Sequence, residues 1–148
     1  MTETLTIRPA TTTDLPAVIT LLKECGLPSD DLSADSLSHF HVIEGENGKL
    51  EAVAGLDRAG SRGLLRSLAV SPRCRGRGLG EKLVSQCETA ALVAGIHEIY
   101  LLTTTASGFF VRHGYRELSR KVVPAAIAAH PQFESLCPAS ATCLGKRL

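Results

Sequence analysis

A chain of 148 residues is long enough for one domain with a sizeable core. Its formal charge of +1 excludes the strongly basic surface that nucleic-acid binding demands, and no apolar run approaches the ~18 residues needed to cross a bilayer. The apolar and charged fractions, 44% and 21%, are those of a soluble globular chain; with no signal-peptide pattern at Met1-Thr2-Glu3-Thr4, the expected location is the cytoplasm.

In chain order, Leu5 to Arg8 alternates and predicts a first strand. Thr11-x-x-Asp14 is a capping-box spacing, and Leu15, Val18, Ile19 and Leu22 then recur at helical intervals until Gly26. Residues 30–40 predict a short helix. His41–Glu44 and Leu50–Asp57 flank Gly45-Glu46-Asn47-Gly48, a hairpin turn. A second turn at Gly60–Gly63 leads into a strand over Leu64–Val70. Leu79, Leu83, Val84, Cys87, Ala91 and Ala94 share one helical face, stopped by Gly95. A buried strand over Glu98–Thr103, a short helix over Ser107–His113 stopped by Gly114, and a strand over Tyr115–Ser119 follow. Pro124–Leu136 reads as helical with a break at Pro131, and Ala141–Leu148 as a last strand. The order β-α-α-β-β-β-α-β-α-β-β is mixed α/β (α+β), with no repeat, linker or low-complexity stretch to divide residues 1–148 into more than one domain.

Between the strand ending at Val70 and the helix opening at Leu79 lies Arg73 to Gly80, R-C-R-G-R-G-L-G. Strand, glycine-rich turn and helix together form an anion cradle: amides of the first helical turn lack intrahelical partners, glycines admit an anion close to the backbone, and arginines add forked donors. A P-loop requires Lys-Ser/Thr after its second glycine, whereas Gly80 is followed by Glu81-Lys82-Leu83. The spacing Gly76-x-Gly78-x-Gly80 is not the G-x-G-x-x-G of dinucleotide folds.

The spacing Arg75-x-x-Gly78-x-Gly80 after Leu68-Ala69-Val70-Ser71-Pro72 resembles the acetyl-CoA site of the GNAT N-acetyltransferase superfamily, and the element order matches that family across nearly the whole chain. The resemblance implies a central, mostly antiparallel sheet splayed between its fourth and fifth strands and flanked by helices. It implies acetyl-CoA as cosubstrate, with pantetheine along the backbone of Leu68, Ala69 and Val70 and the diphosphate on the amides of Arg75, Gly76, Arg77, Gly78, Leu79 and Gly80. A narrower likeness runs through Leu101-Leu102-Thr103-Thr104-Thr105-Ala106-Ser107-Gly108-Phe109-Phe110 and Gly114-Tyr115, which resemble the acetyltransferase domain of bacterial N-acetylglutamate synthases. Phe133-x-x-Leu136-Cys137-Pro138 is similar to a small GNAT group attached to arsenic-resistance operons, whose acceptors are amino acids or amino-acid-like arsenicals. Both imply a small anionic amino-acid-like amine, resembling glutamate or its arsenic or phosphorus analogues, as partner.

Two positions depart from the family. Its general-acid tyrosine falls at Phe110, which has no proton to donate and is either a cofactor contact or core. Its glutamate base falls at Arg66 and Ser67. Ser107 or a water is then left to meet the leaving thiolate, which with a pKa near ~8.5 needs little acid. Arg66 has two readings: an anchor for an acceptor's carboxylate, phosphonate or arsonate, or a structural partner of Glu44, Glu51 or Asp57. Thr103, Thr104 and Thr105 either line the acceptor site or are β-branched strand residues.

Five cysteines form no C-x-x-C spacing and are expected as free thiols. Cys74, beside arginines, is either a thiol of lowered pKa or a bystander, and Cys137 with Cys143 is a weak soft-metal or metalloid pair. None of His39, His41, His97, His113 and His130 has a carboxylate or cysteine partner at metal spacing, so no metal is expected. His113 suits a helix C-terminus. Competing functions are acetylation of protein N-termini or lysines, which needs an acidic groove no acidic run supplies, and acetyl-CoA sensing without turnover. Pairing through the terminal strand would give a homodimer.

Overall fold

Thr11 and Asp14 form the capping box their spacing predicts, with the Thr11 amide 2.7 Å from Asp14 Oδ2. The box closes a 3₁₀ turn at Thr12–Asp14, which runs on into helix α1 (Leu15–Glu24) with Pro16 in its first turn. The computed structural model describes residues 4–148; the N-terminal reading of Met1–Glu3 lies outside the described residues. Seven strands follow the predicted order: β1 (Thr6–Pro9), β2 (Phe40–Glu44), β3 (Leu50–Ala59), β4 (Arg62–Val70), β5 (Glu98–Thr103), β6 (Arg116–Leu118) and β7 (Thr142–Arg147). They pair as β1-β2-β3-β4-β5-β7-β6. β1/β2, β2/β3, β5/β7 and β6/β7 are antiparallel, and β4/β5 is parallel. The parallel register covers Arg62–Leu64 against Glu98–Tyr100, while β4 runs on to Val70 and β5 to Thr103. That short register accords with strands that part beyond Leu64. Helices α2 (Leu79–Val93), α3 (Ser107–Arg112) and α4 (Ala125–Ala128) complete the mixed α/β architecture.

The chain forms two compact units, one of residues up to Leu56 with Ser67–Ala90, the other of Asp57–Arg66 with Ala91–Leu148. In the first, Val18, Leu21 and Leu22 of α1 pack with Leu37, Phe40, Val42, Leu50, Val53 and Ala69. Gly55 belongs to this packing, because a Cβ there would strike the Phe40 ring. In the second unit Leu64, Val123, Ile127, Phe133 and Cys143 form the core, with Tyr100, Leu102 and Leu118 against it.

The structure revises two predicted elements. Residues 30–40 contain a 3₁₀ segment at Ala34–His39 in place of a helix over the whole stretch. Its cap is Ser33 paired with Ser36, whose Oγ accepts the Ser33 amide at 3.0 Å; side chains of this kind compete for backbone donors and shorten helices. Pro124–Leu136 divides into α4 and a π turn at Gln132–Leu136, with Pro131 at the break. Among the described residues no helix is long and apolar enough to cross a membrane.

Arg8 grips Asp14 through two nitrogens at 2.8 and 3.0 Å, and also reaches Glu44 at 3.3 Å. The guanidinium bonds, helped by the Thr11 amide and opposed by burial, lower the Asp14 pKa from 3.8 to about 2. A carboxylate depressed in the folded state stabilises above its unfolded pKa and loses that contribution as pH falls through the folded value. Asp14→Asn should therefore cost about 1–2 kcal/mol at neutral pH and almost nothing at pH about 2, as read by urea unfolding at each pH.

Candidate functional site

The glycine-arginine segment lies in the first unit. After β4 the chain makes a 3₁₀ turn at Pro72–Cys74, then an exposed loop over residues 75–78, then α2 from Leu79. Gly76 and Gly78 have φ of +81° and +76°, in the left-handed region that side chains resist, and a Cβ on either would meet nothing within 4 Å. The loop is thus open on its outer side and its bends require glycine. The Lys82 amide bonds to the Gly78 carbonyl at 3.2 Å, so the amides of Leu79, Gly80 and Glu81 precede the helical ladder. Arg75 and Arg77 are exposed on the same loop. These features fit the diphosphate of a nucleotide-containing cofactor. Arg75 also bonds back: its Nε lies 3.2 Å from the Val70 carbonyl, which Cys25 Sγ approaches at 3.6 Å. The Val70 carbonyl, expected to be available to pantetheine, therefore already has protein partners, while Leu68 and Ala69 continue the strand before it.

Ser67 has φ of 59°, the one non-glycine residue with positive φ among the described residues. An L-residue held there costs about 1–2 kcal/mol. Sequence periodicity gives no signal of this bend.

Beneath the loop, Glu51 of β3 is fully buried. Its Oε2 accepts Arg73 Nε at 2.6 Å and Cys74 Sγ at 2.8 Å, and its backbone carbonyl accepts the Ser71 amide at 2.7 Å. Burial works to raise the Glu51 pKa, but the bonds from Arg73 and Cys74 outweigh it and the carboxyl is held low. Of the two readings of Cys74, the thiol of lowered pKa is set aside here and the bystander stands. Its thiol is buried, and burial, reinforced by the Glu51 carboxylate, pushes its pKa up despite the nearby arginines. Cys87 is likewise raised to about 12 by burial and Glu88.

In the second unit Arg66 has the acidic partner that one of its two readings expects. Leu65 and Arg66 are both buried, and the Arg66 side chain is 1% exposed. Of the three acidic partners considered, Asp57 is the one it meets, Nη1 to Oδ2 at 2.9 Å. The same oxygen takes His130 Nε2 at 2.7 Å, while His130 Nδ1 accepts the Gln132 amide at 3.0 Å, which places the ring proton on the nitrogen facing Asp57. His130 thus has the carboxylate partner that its sequence neighbourhood lacks, 73 positions away. Burial works to raise the Asp57 pKa; the His130 and Arg66 contacts outweigh it and the group is held low.

The β5 end and α3 lie in this same unit. Thr103 Oγ1 accepts the Ala106 amide at 3.0 Å and so braces the turn into α3, a local role not read from the sequence. Thr104 and Thr105 are exposed, and Ser107 opens α3 half-buried. Phe110 is buried edge-on against Phe109 and Tyr115, with centroids 5.1 and 5.5 Å away, which is the core reading of this residue. Cys137 Sγ donates to Gln132 Oε1 at 3.0 Å, and Cys143 belongs to the core.

Residues 36–117 match the family model described as "Acetyltransferase (GNAT) domain", and the chain belongs to that family. It is 40% identical over 60 residues to an uncharacterized N-acetyltransferase of Chlorobaculum tepidum, covering 40% of this chain and 38% of that protein. It is 30% identical over 131 residues to an amino-acid acetyltransferase of Pseudomonas fluorescens, covering 83% of this chain and 30% of that protein. The chain thus spans only about a third of the length of these relatives. Among solved structures, N-acetylglutamate synthase from Neisseria gonorrhoeae, complexed with coenzyme A and N-acetyl-glutamate, superposes with a TM-score of 0.82 at 25% identity, over 100% of this chain and 36% of the other. Rv2747 from Mycobacterium tuberculosis, in complex with CoA and NLQ, has the same fold, with a TM-score of 0.82 at 24% identity over 97% of this chain and 99% of that one.

Proposed function

We propose that residues 1–148 act as one acetyl-CoA-dependent N-acetyltransferase domain whose acceptor is the amine of a small, anionic amino acid resembling glutamate or its phosphorus or arsenic analogues. The observation that carries this reading is the open loop over residues 75–78, whose left-handed glycines lead into the unladdered amides of α2. Family membership supports the reaction class. The amino-acid acetyltransferase relatives, and the synthase holding coenzyme A with N-acetyl-glutamate, support the acceptor class.

In this reading acetyl-CoA supplies an activated acetyl thioester, and the chain's own residues do the rest by position and charge. Amides of Arg75 to Gly80, with the Arg75 and Arg77 side chains, hold the diphosphate. Backbone groups of Leu68 and Ala69 align the pantetheine arm, and the bend at Ser67 re-aims the backbone where that arm ends. Ser107 meets the leaving thiolate. Arg66, its side chain 1% exposed against Asp57, acts on the acceptor through that carboxylate, and Thr104 and Thr105 contact the acceptor. Asp57 and His130, both part-buried, are the members of this cluster nearest to solvent.

Steady-state kinetics tests this assignment. Arg66→Ala should raise the acceptor KM by about tenfold while the acetyl-CoA KM changes less than about twofold. Equal effects on the two constants would remove Arg66 from acceptor recognition.

A further inference from the structure

Glu51 is a buried charge that the proposed chemistry does not use. Burying a carboxylate is costly, and a buried ion pair is seldom the most stable filling for its space. The partners are uneven: Glu51 is fully buried, whereas the Arg73 side chain is 52% exposed and can be solvated without it. Oε1 of Glu51 is buried with no hydrogen-bond partner among the described residues, so the group is incompletely compensated. Three contacts of Glu51 fall within four residues: Ser71 through its backbone carbonyl, and Arg73 and Cys74 through Oε2. Those residues form the turn that carries the chain from the end of β4 to the glycine loop. The Cys74 amide closes the same turn onto the Ser71 carbonyl at 2.9 Å. Because the Cys74 side chain is buried and bonded, the exposed Arg75 begins from a fixed point.

We propose that Glu51 is a positioning residue for the diphosphate loop: from β3 it fixes the Ser71–Cys74 turn, and through that turn the direction in which the amides from Arg75 onward face the cofactor. The inference rests on the acetyl-CoA reading and adds a residue, 24 positions before Arg75, that never touches the ligand. Its role is separable from folding. Glu51→Met replaces the carboxylate by an apolar group of similar length, keeps the backbone bond to Ser71 and releases Arg73 to solvent. Glu51→Gln retains an oxygen that can accept from Arg73 and Cys74.

The experiment is calorimetric titration with coenzyme A and with ADP, which share the diphosphate, alongside thermal unfolding of each variant. The expected result is that Glu51→Met keeps or raises the wild-type melting temperature and weakens both ligands by the same factor, about tenfold, while Glu51→Gln recovers most of the loss. Cys74→Ala should weaken both about threefold and Cys74→Ser restore them, a pair that also reads the inference if the Glu51 variants do not fold. Unchanged affinities in Glu51→Met and Cys74→Ala would overturn the proposal. So would an affinity loss that follows the loss of melting temperature, since that is the mark of a structural group alone. Wild-type protein that binds neither coenzyme A nor ADP would instead refute the acetyl-CoA reading, and this inference with it.

Discussion

Asp57→Ala lowers the unfolding free energy by about 3 kcal/mol. Its Oδ2 carries both Arg66 and His130, and Arg66 is a charge with a side chain only 1% exposed. Removing the carboxylate takes the Asp57 contact from a guanidinium in a low-dielectric setting, whereas removing the guanidinium leaves a carboxylate that still meets His130 and some solvent. The asymmetry is itself testable. Arg66→Met should cost less than Asp57→Ala, and the double variant Asp57→Asn, Arg66→Met should recover stability relative to Asp57→Ala. Urea unfolding of the set reads it, and a loss below about 1 kcal/mol for Asp57→Ala would show the pair to behave as an ordinary surface ion pair.

Gly78→Val separates binding from stability in the opposite way. At φ of +76° valine is strained, but a Cβ there meets nothing within 4 Å, so the cost is the backbone's alone, about 1–2 kcal/mol. The loop relieves that strain by turning out of the left-handed region, which moves the amides of Leu79 and Gly80 off the diphosphate. Coenzyme A affinity should fall more than tenfold, the loss of roughly two charge-assisted bonds. Gly48→Val is the control: it shares the φ of +76° and the open surroundings but lies in the β2–β3 hairpin. It should lose the same stability and keep its affinity for coenzyme A. Equal affinities for the two variants would show that the loop geometry does not hold the cofactor.

What the sequence revealed follows from the range of its signals. The capping box, the hairpin glycines, the α2 face and the Arg75–Gly80 loop are encoded within a few residues of each other, and the structure forms each where its spacing predicts. The boundary of β5 at Glu98–Thr103 is likewise legible from one apolar run bounded by Gly95 and Ser107. The charged clusters are different. Glu51 meets Cys74 across 23 positions and His130 meets Asp57 across 73, and no local pattern joins them. Arg66 was open to an acidic partner or an acceptor because alternation fixes a face only where one side of a strand is covered, and β4 is buried at Leu65 and Arg66 alike. Cys74 keeps two readings in the sequence for a related reason. Neighbouring arginines are visible in sequence, but the buried carboxylate beneath them is not.

The central claim is acetyl transfer to a small anionic amino acid, and the direct test is to incubate the protein with acetyl-CoA and a panel of amines and weigh the products by mass spectrometry. The panel comprises the common amino acids, glutamate analogues bearing phosphorus or arsenic acid groups, polyamines and short peptides. The expected result is one acetylated product well above the rest, formed from an anionic amino acid and carrying an acetyl group in place of one amine hydrogen. Preferential acetylation of polyamines or peptides, or no acetylated product from any of them while coenzyme A still binds, would contradict it.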